Sequence, residues 1–431
     1  MSSISTKNLP VGWSVAYVEE IADIKSGKRL PKGIGLTESD NGYPYIRVAD
    51  MANGTVDLNN IMFVPREVVK FIKKYIITTN DIYISVAGTL GLVGIIPDEL
   101  NNANLTENAN RLTNLKCNKL FLLYSLQTEN IKRTIQSVQT LGAQPKLAIE
   151  RIKKFEIILP PTVEQQKIAQ ALTDADNYIS ALEKLIEKKK MIKEGLMVNL
   201  LTGKQRLKEF FFNEDGTAKG YKDSELGKIP EDWEIGNLGN LTTLKARIGW
   251  QGLTVAEYLD QGDYYLVTGT DFNEGFIDFE HCPYVDKSRY SQDPNIQLKN
   301  NDVLVTKDGT IGKVAFIENL DLPATLNSGV FVIRPIGSGI NSKFLYYILM
   351  SKYFDDFLKK ITAGSTITHL YQKDFVHFDF VLPTLEEQNS IVSCLSNVDH
   401  DLMILERKLK KANNLKQGMM QKLLTGEIRL A

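Results

Sequence analysis

The stretch NLLTGKQRL at residues 199–207 returns near the other end of the chain as KLLTGEIRL at residues 422–430. Working outward from this pair, the strings that precede each copy are also shared. LPPTVEQQ (159–166) matches LPTLEEQ (382–388), and NDIYISVAGTLGLVG (80–94) matches NDVLVTKDGTIGKVA (301–315). LPVGWSVAYVEEIADIKSG (9–27) matches IPEDWEIGNLGNLTTLKAR (229–247), which aligns Trp13 with Trp233. A chain that says nearly the same thing twice makes a molecule with two similar ends. Anything it recognises is expected to come in two parts, with a spacing set by the body between them.

Each repeat has two pieces. The first is of mixed character, with short runs rich in Val, Ile, Tyr and Phe, such as YPYIRV, DIYISV, DYYLVTG and VFVIRP, punctuated by Gly, Asn and Asp. These are strand signals. One run at helical spacing recurs in each, KLFLLYSLQTENIKRTIQ and KFLYYILMSKYFDDFLKKI. The second piece is a long helix. Residues 162–201 and 384–424 contain no proline and one glycine each, Gly195 and Gly418. Each follows proline, carries Glu164 or Glu386 in its first turn, and ends at a glycine suited to a left-handed cap, Gly203 or Gly426.

The apolar positions of these helices alternate at three and four residues. They are Ile168, Leu172, Ala175, Ile179, Leu182 and Ile186 in the first, and Ile391, Leu395, Val398, Leu402, Leu405 and Leu409 in the second. That is the seam of a coiled coil. A lone helix about 60 Å long with one greasy stripe is unstable in water, so the two are expected to pair. The fold class expected is therefore mixed α/β. Two similar α/β globular domains are each followed by a long helix, and the helices form an antiparallel coiled coil with pseudo-twofold symmetry. The boundaries read as a first domain at 1–160, its helix at 161–203, a connection at 204–228, a second domain at 229–383, its helix at 384–426 and a tail at 427–431. Within the connection, the aromatics Phe210 to Phe212 are expected to make a docking contact of their own.

Composition narrows the classes of function. The hydrophobic share of 43% and charged share of 24% are those of a soluble globular protein. Cys117, Cys282 and Cys394 are too few for a disulfide framework and suggest a reducing cytosol. The N-terminus has no apolar core, so a secretory signal is not expected, and no apolar run is long enough to span a membrane. The net charge of −1 gives no bulk basic signature for nucleic acid, which leaves a polarised face as the route to one. KDGTIGKV fails as a phosphate loop at Lys307 and Val314, and LPPT at Leu159 lacks the acid or amide and the aromatic of an adenine methyltransferase motif. His281, His369, His377 and His400 and the three cysteines show no metal-ligand spacing, so no metal site and no catalytic residue is expected.

In the order and duplication of its motifs, the chain resembles the specificity subunit of type I restriction-modification systems. The segments that carry the resemblance are YKDSELGKIPEDWEI (221–235), the two LLTG helix endings and the LP(P)T-[VL]-E-[QE]-Q starts, and it covers essentially the whole chain. The resemblance implies that the globules are target-recognition domains for double-stranded DNA and that the helices are spacer and scaffold. It also implies docking of up to two adenine methyltransferase subunits, joined by motor-nuclease subunits. S-adenosylmethionine, ATP and Mg would then belong to those partners, with no cofactor and no catalysis in this chain. A prokaryotic cytoplasm follows. The alternative left by the residues alone is a coiled-coil scaffold whose two globules bind proteins.

Base reading favours Arg on guanine and Asn or Gln on adenine, with Lys and Arg on phosphates for register. The first domain offers Lys25, Lys28, Arg29 and Lys32 around Gly27 and Gly33, then Arg47 in a strand, then Gln144 and Lys146 before the helix. The second offers Lys245, Arg247, Trp250 and Gln251, with Lys307 and Thr366 in later loops. Arg47 has a structural alternative as a partner of Asp50, and Trp250 one as a core residue. The differing loops, SGKRLPKG against KARIGWQGLT, predict an asymmetric target and not a palindrome. The shared G-T-[LI]-G loops are expected to be structural turns.

Overall fold

The computed structural model describes residues 9–137, 146–249, 252–362 and 369–430. The chain forms two compact units, one of Met1–Lys184 with Arg407–Ala431 and the other of Leu185–Glu406. The division falls inside both long helices, so each unit holds one globule and a segment of each helix.

In the first unit an antiparallel sheet takes the order Asp23–Ser26, Ala109–Thr113, Ile82–Ser85, Val93–Ile95. All four residues of Ile82–Ser85 are buried, which is why this strand reads as an unbroken apolar run and not as an alternation. In the second unit Thr242–Ala246, Val330–Pro335, Val303–Thr306 and Val314–Phe316 form a sheet of the same order and sense. Each globule adds a short parallel pair, Pro44–Ile46 with Ala103–Leu105 and Tyr265–Val267 with Ala324–Leu326. Each is closed by a pairing of its first and last strands, Ser14–Tyr17 with Glu156–Leu159 and Glu234–Asn237 with Asp379–Leu382. The closing pair delivers the chain to the start of its long helix.

The helical run expected in each globule is two helices, Lys119–Leu126 and Glu129–Gln136 in one and Ser342–Leu349 and Lys352–Thr362 in the other. The breaks are made by hydroxyls that turn back on the chain. Thr128 donates to the Ser125 carbonyl at 2.8 Å, and Ser351 to the Ile348 carbonyl at 2.6 Å. The G-T-[LI]-G loops are turns of the same kind in both globules. The hydroxyl of Ser85 or Thr306 donates to the carbonyl of Thr89 or Thr310 and accepts from the amide of Leu92 or Lys313.

The long helices are Thr162–Leu201 and Leu385–Leu423. Of the seam positions, Ile168, Leu172, Ile179, Leu182, Ile186, Ile391, Leu395 and Leu402 are buried, while Ala175, Val398, Leu405 and Leu409 are half-buried. Polar contacts in each unit show the segments running antiparallel. In the first, Lys416 pairs with Asp176 at 2.5 Å and Arg429 with Glu164 at 2.8 Å. In the second, Lys193 pairs with Asp399 at 2.7 Å, Lys189 with Asp401 at 2.7 Å and Arg206 with Glu387 at 2.6 Å. One refinement concerns the first two seam positions of each helix. Ile168 and Leu172 sit in the core of the first globule with Trp13, Leu423 and Leu424, and Ile391 and Leu395 sit in the core of the second with Trp233, Leu200 and Leu201. Each globule core is thus completed by the end of the helix that belongs to the other repeat.

That completion explains the opening motif. Gly203 and Gly426 take φ of +68° and +77°, and a Cβ on either would stand 2.5 or 2.7 Å from Pro230 or Pro10, beside Trp233 or Trp13. Three residues on, Arg206 or Arg429 turns back to a glutamate that also accepts the indole N–H of the same Trp. The connecting segment is therefore anchored by Arg206. The aromatics expected to dock it form a short helix, Lys208–Phe211, and Phe212 is exposed. Glu386, read as a first-turn signal, is exposed as well. The counterpart of Glu164 is Glu387, shifted by one because the second helix follows a single proline and not two.

Candidate nucleic-acid interface

In the first globule the basic loop leaves the strand Asp23–Ser26 through Gly27, whose position leaves no room for a side chain. A Cβ there would lie 2.0 Å from the Thr106 carbonyl oxygen. The chain bends so closely that the Lys28 amide donates to the Leu105 carbonyl at 2.8 Å, at the end of the parallel pair. Lys25, on the strand before this bend, and Lys28, Arg29 and Lys32, after it, are all exposed. Arg29 pairs with Glu107 at 2.5 Å with its side chain 76% exposed, and the Lys28 ammonium stands 5.7 Å from the centre of the Tyr75 ring. Arg29 and Lys28 are thus anchored to neighbouring segments, while Lys25 and Lys32 are exposed.

Arg47 does not lie in a strand. The strand ends at Ile46, and Arg47 precedes a single 3₁₀ turn, Val48–Asp50. It donates to Asp50 from Nε at 3.0 Å and from Nη2 at 2.6 Å, and to the Asn60 carbonyl at 2.7 Å. Two of its three nitrogens are engaged, with the Asp50 hydrogen bond foremost in pushing its pKa up. Lys146 is exposed, and Gln144 lies outside the described residues.

The second globule corrects the expectation for Arg247. Its strand, Thr242–Ala246, ends where the first globule has Gly27, but here the side chain turns inward and is 1% exposed. Its Nε donates to the Leu326 carbonyl at 2.8 Å, and its terminal nitrogens reach Thr325, Gln292 and the Arg289 carbonyl. Burial, followed by the charge of Arg289, pushes its pKa down. The Leu326 carbonyl corresponds to that of Leu105, so a guanidinium in one globule satisfies the strand end that a backbone amide satisfies in the other. Arg247 is thus buried and bonded within its globule, unlike the exposed residue the sequence led one to expect. Lys245 is exposed on the same strand; Lys307 is half-buried, its ammonium 5.6 Å from the Phe331 ring centre. Trp250, Gln251 and Thr366 lie outside the described residues.

One cationic stretch escaped the sequence reading. PREVVKFIKKYI (65–76) runs beneath the basic loop, and Arg66, Lys70, Lys73 and Lys74 are exposed there together with Phe71. Val68 and Ile72 form a small core with Tyr45 and Val64, against which Leu30 and Leu36 of the basic loop pack. The signal was available as four cations against one acid in nine residues, 66–74.

Comparison with known proteins decides the class. Residues 10–194 and 230–415 each match the model of the type I restriction modification DNA specificity domain. The chain belongs to this family. It is 28% identical to the type I restriction enzyme MjaVIII specificity subunit of Methanocaldococcus jannaschii, over 98% of this chain and 94% of that protein. It is 23% identical to the EcoBI specificity subunit of Escherichia coli, over 96% and 86%. The crystal structure of a type I restriction-modification S subunit from M. genitalium shares the fold, with a TM-score of 0.59 at 18% identity and 98% of each chain covered. Membership of the specificity family makes the chain a DNA-recognition subunit without a catalytic step of its own, and it disfavours the protein-scaffold alternative. No helix among the described residues is long and apolar enough to cross a membrane.

Proposed function

We propose that this chain reads an asymmetric two-part sequence in duplex DNA, one part per globule, across a gap set by the long helices. The observation that carries this reading is the repetition of one sheet order in both globules with different chemistry at the same loop. Lys28, Arg29 and Lys32 are exposed in the first, whereas Arg247 is buried in the second. Equal scaffolds carrying unequal loops suit unequal half-sites. Duplex DNA presents equivalent faces about every 34 Å, so two reading modules suit two successive major grooves.

In this reading the chain docks up to two adenine methyltransferase subunits and, through them, motor-nuclease subunits. Those partners bind S-adenosylmethionine, ATP and Mg and flip the target adenine for methylation. The site of action is a prokaryotic cytoplasm. The domain limits 1–160 and 229–383 bound the two reading modules. Lys25, Lys28, Arg29, Lys32, Lys146 and Lys245 are the DNA contacts proposed from the described residues. Gln144, Trp250, Gln251 and Thr366 are kept as proposals from sequence alone.

The test is a base-resolution map of methyladenine in cells expressing this chain with its neighbouring methyltransferase, against cells lacking only this chain. A motif of two different halves with a fixed gap, present only with the chain, is expected. A chain-dependent motif with identical palindromic halves would refute the asymmetry. The absence of any such motif from an assembled complex would refute the reading itself.

A further inference from the structure

The segment Arg66–Lys74 of the first globule concentrates charge in a chain whose total is −1. Arg66, Lys70, Lys73 and Lys74 are exposed, and none forms an ion pair among the described residues. Phe71 stands between them with 61% of its surface exposed, the Lys70 ammonium 5.1 Å from its ring centre. The next residue, Ile72, is 1% exposed and anchors the turn in the small core with Val68, Val64 and Tyr45. The turn is thus fixed from below while its outer side shows one ring in a field of cations. Lys28 joins that field through Tyr75, and Leu30 ties the basic loop to the same core.

The second globule shows what this place looks like without that role. Between Val285 and Ile296 the corresponding segment carries Ser291, Pro294 and Asn295 where the first has Lys70, Lys73 and Lys74. Gln292, in the place of Phe71, accepts from Arg247 and Arg289. Arg289 is held by Glu257, and Tyr290 stacks on Tyr264 with ring centres 4.5 Å apart. There Arg289, Tyr290 and Gln292 are tied to neighbouring side chains and one cation, Lys287 in the place of Arg66, is exposed; in the first globule four cations and a ring are left outside.

We infer that Arg66–Lys74 is a second DNA-contact surface of the first globule, in which the cations hold backbone phosphates and Phe71 makes an apolar contact in the groove. Duplex DNA fits by charge complementarity, since its phosphates match exposed cations that have no acidic partner among the described residues. An exposed ring flanked by such cations is a means of combining phosphate binding with apolar contact to bases. This inference rests on the DNA-recognition reading and adds which residues of the first globule set affinity.

The experiment measures binding of a labelled random-sequence duplex, about four helical turns long, by the full chain assembled with its methyltransferase, across a series of salt concentrations. Removing one phosphate-binding cation flattens the slope of log affinity against log salt by about 0.9. Lys70→Gln/Lys73→Gln/Lys74→Gln should flatten it by nearly three such steps, and Lys70→Arg/Lys73→Arg/Lys74→Arg should keep it. Phe71→Ala should weaken binding on the order of tenfold with the slope unchanged. If the unaltered complex binds with a steep slope and the triple Gln variant keeps both slope and affinity, this surface is off the DNA and the inference fails while the DNA-recognition reading stands. If the unaltered complex shows no salt-dependent binding, both fail.

Discussion

The two copies of the opening motif grip the same kind of seat at very different depths. Arg206 has a side chain 2% exposed and holds Glu387 and Asp232, and Lys219 also reaches Asp232. Arg429 has a side chain 45% exposed and holds Glu164 and the Val11 carbonyl. The position of Asp232 is taken in the first repeat by Gly12, so the terminal grip lacks the second acid. The shared parts, Gly203 or Gly426 against proline and tryptophan, are packing that both ends need to complete a core. The parts that differ follow position in the chain. The inner arginine holds two acids and is buried, while the outer one holds a single acid and is half-exposed.

The comparison can be broken most sharply at the arginines. Arg206→Ala leaves Glu387 buried without its cation and should cost about 3–5 kcal/mol in urea unfolding. Arg429→Ala removes a half-exposed cation and leaves the buried Glu164 with the Trp13 indole, and should cost less, about 1–3 kcal/mol. Equal costs would mean that burial does not distinguish the two grips.

The loops give the next contrast. Arg247→Ala should destabilise the second globule by about 1–3 kcal/mol, because the Leu326 carbonyl and Thr325 lose a buried donor. Arg29→Ala should leave thermal stability unchanged and weaken DNA binding by about 1–3 kcal/mol if Arg29 reads a base. Loss of DNA affinity by Arg247→Ala at unchanged stability would restore it as a reader.

Gly203→Ala and Gly426→Ala test what the grips share. Each places a Cβ on a positive-φ residue against a proline ring, and each should cost about 1–2 kcal/mol from the backbone conformation alone. A large difference between them would show that the shared packing is not shared.

The smallest effect is with pH. The hydrogen bond from Arg429, with that from Trp13, holds the Glu164 carboxyl below the usual glutamate range, against the opposing effect of burial. A folded pKa below the unfolded value gives stability that is complete above about pH 4.3 and is lost as pH falls through the folded value. Acid titration of unfolding should show a smaller loss in Glu164→Gln than in the unaltered chain, the remainder coming from other carboxylates held low, such as Asp232.

Much of the fold was legible because it is written twice. Repetition set the two-part architecture, and proline-free length with three-four spacing marked the helices. The breaks at Thr128 and Ser351 were hidden because a hydroxyl bonding backward leaves the apolar pattern intact. The site was harder. Arg29 and Arg247 are the same residue type in similar glycine-flanked basic runs, yet one faces water and the other caps a strand. That outcome depends on whether position 27 or 247 lets the backbone approach the parallel pair, which is a matter of tertiary contact. The tie of Trp13 or Trp233 to Glu164 or Glu387 and on to Arg429 or Arg206 was not legible, since the sequence aligns Glu164 with Glu386 and only the fold shows Glu387 meeting Trp233 and Arg206.

The most direct test exchanges residues 238–375, the interior of the second globule, for the corresponding stretch of a relative and maps methyladenine at base resolution. If each globule reads one half-site on a common scaffold, one half of the motif changes while the other half and the gap stay as they were. A motif unchanged by the exchange, or one altered in both halves with the complex still assembled, would contradict the account.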